Sequence, residues 1–90
     1  MGEGKPQMSL LLDFGKALKN ACRGLQEGAD KYGRGDWQKG MPQNEIIDSL
    51  MRHLEAHVGG EVVDPSSPTG ATHLDKVLNN ALLLSQLHGK

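Results

Sequence analysis

Apolar residues recur at intervals of three and four in three stretches of the chain, the spacing of amphipathic helices. In the middle stretch, Ile46, Ile47, Leu50, Met51, Leu54 and Val58 fill one broad face at a helix's 100° step, while Glu45, Asp48, Arg52 and Glu55 take the other. Gly59-Gly60 ends that helix cheaply, so Glu61 and Asp64 emerge just past its C-terminus. Upstream, Phe14, Ala17, Leu18, Ala21, Cys22, Leu25, Ala29 and Tyr32 lie within about 140° of helix surface and predict a first helix of roughly 20 residues starting near Asp13. Gly33-Arg34-Gly35 stops it, and Asp36 to Gln43 reads as an ordered turn region. After the loop Pro65-Ser66-Ser67-Pro68-Thr69-Gly70, Thr72 can N-cap a third helix, with Asp75 completing an acidic variant of the capping box. Its main face is Leu74, Val77, Leu78, Ala81, Leu82 and Leu84, but Leu83 and Leu87 point the other way. A helix apolar on two sides is expected to be buried on both, so its end should meet another subunit. The predicted fold is all-α: three helices with a long ordered loop between the first two, in one domain spanning 1–90, with 1–8 a flexible tail or arm, assembled at least as a dimer.

Three glycines, Gly15, Gly24 and Gly28, each cost the first helix about 0.8–1 kcal/mol relative to Ala, so tertiary packing must hold it. Gly28 borders the apolar stripe, where a missing side chain lets another backbone or a ligand come close. With 10 Lys+Arg against 11 Asp+Glu in 90 residues, no bulk field marks a nucleic-acid face, and duplex DNA is not an expected partner. The single Cys22 excludes a disulfide framework and an all-cysteine metal cage; within the apolar stripe it reads as a packing residue. No apolar run approaches the ~18 residues of a spanning helix and the polar N-terminus lacks a signal peptide's features, so a cytoplasmic protein without membrane contact is expected.

His53 and His57 stand one turn apart at metal-ligand spacing, but without a neighbouring carboxylate signature the pair suits core or interface histidines better than zinc. Glu61-x-x-Asp64 supplies two hard oxygen ligands or an acid–base pair, and Mg²⁺ is commonly held by one or two carboxylates plus substrate phosphates. His53, His73 and Asn80 face the same gap if the second and third helices pack antiparallel. Lys31, Arg34 and Lys39 put three cations near the end of the first helix, and Trp37 reads first as an anchor for its loop and second as a stacking platform. There is no phosphate-binding glycine loop and no nucleophile elbow.

The succession Lys5-Pro6, Gly28-Ala29-Asp30-Lys31-Tyr32-Gly33, Asp36-Trp37, Lys39-Gly40, Arg52-His53-Leu54, Gly60-Glu61, Asp64-Pro65, His73-Leu74 and Asn80 resembles the phage-associated dATP/dGTP diphosphohydrolase N-terminal domain family over almost the whole chain. The resemblance implies an all-helical domain of phage or prophage deoxynucleotide metabolism, akin to the all-α, Mg²⁺-dependent nucleoside triphosphate pyrophosphohydrolases. Arg52, His53, Glu61, Asp64, His73 and Asn80 sit on the family's recurring polar positions, and Lys31, Tyr32 and Trp37 on its loop motif. The chain departs from the pattern with Asp36 in place of asparagine, Lys76 in place of a second histidine, His57 and Val58 where aromatics are frequent, and a longer loop before His73.

Three functions follow as expectations. In the first, His53, Glu61 and Asp64 are catalytic, Glu61 and Asp64 hold Mg²⁺, and Lys31, Tyr32, Arg34, Trp37, Arg52, His73 and Asn80 bind a dATP- or dGTP-like nucleotide that is split to dNMP and pyrophosphate. In the second, an oligomer holds a nucleotide without turnover, through Arg52, His53 and Lys31. In the third, the polar residues form a network that fixes the loops of an assembly domain.

Overall fold

The computed structural model describes residues 4–90, so the first three residues of the expected tail lie outside it; residues 4–7 are exposed. A 3-10 helix, Met8–Phe14, runs straight into α1, Gly15–Tyr32. A short 3-10 turn at Asp36–Lys39 lies in the connection to α2, Gln43–Val58, and α3 is His73–His88. The longer connection is the second, residues 59–72. Among the described residues there is no strand, only the antiparallel bridge Val63–Thr72, and no helix is long and apolar enough to cross a membrane.

Local chemistry sets the helix ends. Gly33, at φ +94°, donates its N–H to Ala29 O and closes α1. Gly60, at φ +99°, donates to His57 O while Glu61 N reaches back to Ala56 O, the paired bonds of a Schellman ending that only glycine adopts without strain. The capping box of α3 is complete: Asp75 N donates to Thr72 Oγ1 at 3.1 Å and Thr72 N to Asp75 Oδ2 at 3.0 Å.

Both α1 and α2 pack on α3. Ser49 meets Asn80, His53 meets His73, and His88 Nε2 donates to Met41 O, so α2 and α3 run antiparallel. Ala21 meets Asn79 and Glu27 meets Lys76, so α1 is antiparallel to α3 as well. Leu83 and Leu87 of α3 are half-buried, while Leu74 and Leu82 of the expected main face are exposed.

The first helix meets α3 through a different face from the one predicted. Cys22, Leu18, Leu25, Phe14 and Tyr32 are exposed, and the contact is made by Ala21 and Gly24 with half-buried Asn20, Glu27 and Gly28. This is a rotation of roughly 80° at 100° per residue. Close approach and hydrogen bonding decide it: Asn79 Nδ2 donates to Ala21 O at 2.8 Å, which only small residues on α1 permit. In α2 likewise, Ile46 is buried and Ser49, Leu50, His53 and Leu54 face inward, but Ile47, Met51 and Val58 are exposed.

Among the described residues only Ala21, Ile46 and Ala71 are buried apolar ones, whereas Asp64, His73, Asp75 and Asn79 are buried polar ones, so the interior is knit largely by hydrogen bonds. The accessible surface is 6983 Å², against about 5,100 Å² for a compact monomer of this mass. Its radius of gyration is 14.4 Å, where about 12 Å is usual for the length.

Candidate functional site

Two helices and one tight loop bring four of the predicted residues together. His53 projects from the inward face of α2, His73 is the first residue of α3, and the bridge between Val63 and Thr72 holds the loop carrying Glu61 and Asp64 against both. That bridge is made by Asp64 N donating to Ala71 O at 3.0 Å and His73 N to Val62 O at 2.9 Å. Asp64 Oδ1 accepts from Ser66 N at 2.9 Å and Ser66 Oγ at 2.8 Å, which fixes its carboxylate.

A chain of polar contacts crosses the cluster. His73 Nε2 lies 2.7 Å from Glu61 Oε1, and His73 Nδ1 lies 2.9 Å from His53 Nδ1. A carboxylate can only accept, so His73 carries a proton on Nε2; with both rings neutral, its Nδ1 is the lone pair and His53 donates from Nδ1. Nε2 of His53 is then bare. Burial, with the charges of His73, Lys76 and Arg52, holds the His53 imidazole below its ordinary value against the opposing pull of Asp64, so it is neutral at pH 7. Burial would raise Asp64, but both Ser66 bonds and the two imidazoles outweigh it and keep the carboxyl below the usual range. His73 and Asp64 are 5% and 7% exposed, whereas Glu61 is open to solvent and gives the cluster its wet side.

Magnesium, the expected ion, takes oxygen ligands in near-octahedral geometry. Of the expected pair, Glu61 has one oxygen on His73 and Asp64 one on Ser66, while the groups that converge are two imidazole nitrogens and the Asp64 carboxylate. Such a donor set does not fit Mg²⁺.

A groove adjoins the cluster between the C-terminal half of α1 and the loop 66–69. Lys31 and Tyr32 line it, as do Gly28, Ser66 and Lys76, so Ser66 and Lys76 stand at the border with Asp64 and His73. Nothing lies within 4 Å of where a Cβ on Gly28 would be, which keeps that wall open. At the border, Glu27 accepts from Ser67 Oγ, Thr69 Oγ1 and Lys76 Nζ. Burial would raise its carboxyl, yet these bonds and the Lys76 charge bring it down to about 2.

The remaining predicted residues lie elsewhere. Arg34 and half-buried Trp37 belong to the α1–α2 connection and do not line the groove, Arg52 is exposed beside His53, and Asn80 donates to Ser49 Oγ at 3.2 Å in the α2–α3 seam, two turns beyond His73. His57 falls outside the cluster, with a buried Nδ1 that has no hydrogen-bond partner among the described residues. Glu27 is not singled out by the sequence, and Lys76 stands out there only as a departure from the family pattern, because each is one charge among several near it, with Arg23, Asp30 and Lys31 around Glu27 and Asp75 beside Lys76. Glu27 shares a helix side with Gly24 and Gly28, and Lys76 lies one turn from His73; that adjacency is the signal that finds them.

Fold and site together define an all-helical domain with a His/carboxylate cluster at a helix junction beside a groove lined by Glu27 and Asp30 as well as Lys31 and Lys76. The family model described as dATP/dGTP diphosphohydrolase, N-terminal, matches residues 1–90, and the chain belongs to that family. Neither a curated protein nor a solved structure matches it.

Proposed function

We propose that His53, Glu61, Asp64 and His73 form a water-activating centre through which the domain splits dATP- or dGTP-like triphosphates into monophosphate and pyrophosphate. The supporting observation is the shared border of groove and cluster at Ser66 and Lys76. A triphosphate in the groove meets the charge of Lys31 and gains that of Lys76 by drawing it from Glu27, with the Tyr32 ring for its base and Arg52 one residue from His53. Neutral His53, with its bare Nε2, and the carboxylates of Asp64 and Glu61 are the set that accepts a proton from water as its oxygen attacks the α-phosphorus. The bond from that phosphorus to the bridging oxygen breaks and pyrophosphate leaves. Magnesium enters this reading as the counterion of the nucleotide.

Pyrophosphate release from dATP and dGTP with Mg²⁺ tests the reading. Glu61→Gln and Asp64→Asn should each slow release by a hundredfold or so; equal rates remove the assignment. Nucleotide binding without product would make the domain a holding module. The burial of Asp64 and His73, with their hydrogen bonds made, favours the structural network as the competing reading. No nucleotide binding, together with unfolding on His53→Ala, would establish it.

We further infer that the chain associates with a second copy. The exposed apolar side chains concentrate on the 3-10 helix and α1, with Leu10, Leu11, Leu12, Phe14, Leu18 and Leu25 uncovered. The surface in excess of a compact monomer is of the order of 2,000 Å², more than the ~800 Å² that a standard interface takes from each partner.

A further inference from the structure

Resting on the reading of this cluster as the chemical centre, we propose that His53, Asp64 and His73 are ligands of a divalent transition ion of the zinc or cobalt class, the imidazoles through Nδ1 and Asp64 through Oδ2. One ligand atom from each of the three residues lies within 4.8 Å of the other two. Two nitrogens bound to one ion at about 2.05 Å stand about 2.9 Å apart at a right angle and about 3.3 Å apart in a tetrahedron. The two Nδ1 atoms are 2.9 Å apart, the spacing of such an edge, while centroids 5.1 Å apart show the rings facing one another as hydrogen-bond partners, so each turns toward the ion on binding.

Each ligand is held by the fold. His73 opens a helix fixed by its capping box, His53 sits within α2, and the two Ser66 bonds to Oδ1 aim Oδ2 of Asp64. Glu61 on Nε2 of His73 supplies the outer carboxylate that orients a ligating imidazole and raises its basicity. Without an ion, one Nδ1 must carry a proton to avoid two facing lone pairs; with one, that proton of His53 moves to its Nε2 through solvent and both lone pairs bind, with no net proton released.

Two nitrogens and a carboxylate select a borderline ion over Mg²⁺ and leave positions for water and a phosphate oxygen. Bound water loses its proton to bulk solvent near neutral pH and attacks as hydroxide, so water activation passes from imidazole to the ion.

The full chain, stripped with chelator, is titrated with CoCl₂ by visible absorption and with ZnCl₂ by calorimetry. One ion per chain should bind with micromolar or tighter affinity, and millimolar Mg²⁺ should not displace it. Asp64→Asn and His53→Gln should weaken binding at least tenfold, and Glu61→Gln about tenfold, with His88→Gln unchanged. Millimolar affinity, displacement by Mg²⁺, or wild-type affinity in these variants overturns the site. If His53→Gln fails to fold, Glu61→Gln on the open side decides. An ion bound with no pyrophosphate released keeps the site and ends the hydrolytic reading. Release at the same rate in excess chelator keeps hydrolysis and ends the site.

Discussion

Asn79 of α3 fills the space that a side chain on Gly24 of α1 would need, and its Nδ2 donates to the Ala21 carbonyl at 2.8 Å in a buried seam. Gly24→Ala should therefore cost about 2–3 kcal/mol, the overpacking and the lost hydrogen bond outweighing the gain in helix propensity. Gly28→Ala, with open space around it, should instead gain about 0.5–1 kcal/mol. Denaturant unfolding of both variants, and of Gly24→Ala with Asn79→Ala, measures this; equal effects at the two glycines would contradict the close approach.

Acid should reach the groove through Glu27. Its folded carboxyl titrates at about 2 against an ordinary 4.5, so its contribution is fully present above pH 4.5 and fades as pH falls toward 2. Glu27→Gln should cost about 1–3 kcal/mol at pH 7 by leaving Lys76 without its anion, and the gap to wild type should close by pH 2. Urea melts across that range would show a constant gap if the carboxylate were not held this way.

His53 has the opposite character at milder pH. Its folded imidazole resists protonation, so its share of stability is complete above pH 6.5 and declines as the pH drops below that value, where the unfolded chain takes up the proton first. An NMR titration should place its midpoint below 6.5; a midpoint at or above that value would mean that the imidazole is solvated.

Light scattering should find a concentration-dependent dimer that Leu18→Glu weakens tenfold or more, because the charge would land on the uncovered outer face of α1. Monomers at every concentration would leave that face unpartnered.

Much of this molecule is legible in its sequence. The α3 cap follows from Thr72 and Asp75, the end of α2 from Gly60, and the site from His53, Glu61, Asp64 and His73, because cap chemistry and polar punctuation are local. The facing of α1 is not, since apolar periodicity weighs Leu18 and Cys22 above Ala21 and Gly24, whereas packing against Asn79 favours the smallest side chains. Glu27 and Lys76 are separated by 49 positions, and no periodicity pairs charges so far apart.

The backbone bridge joining Val63 to Thr72 works as a neck on the segment that follows Asp64. Residues 65–70 bulge beyond it, so extra length there swells outward while the groups at the neck keep their spacing. Evolution is thereby free to lengthen the rim of the groove around Pro68 and Gly70 while Ser66 stays to hold the Asp64 carboxylate beneath.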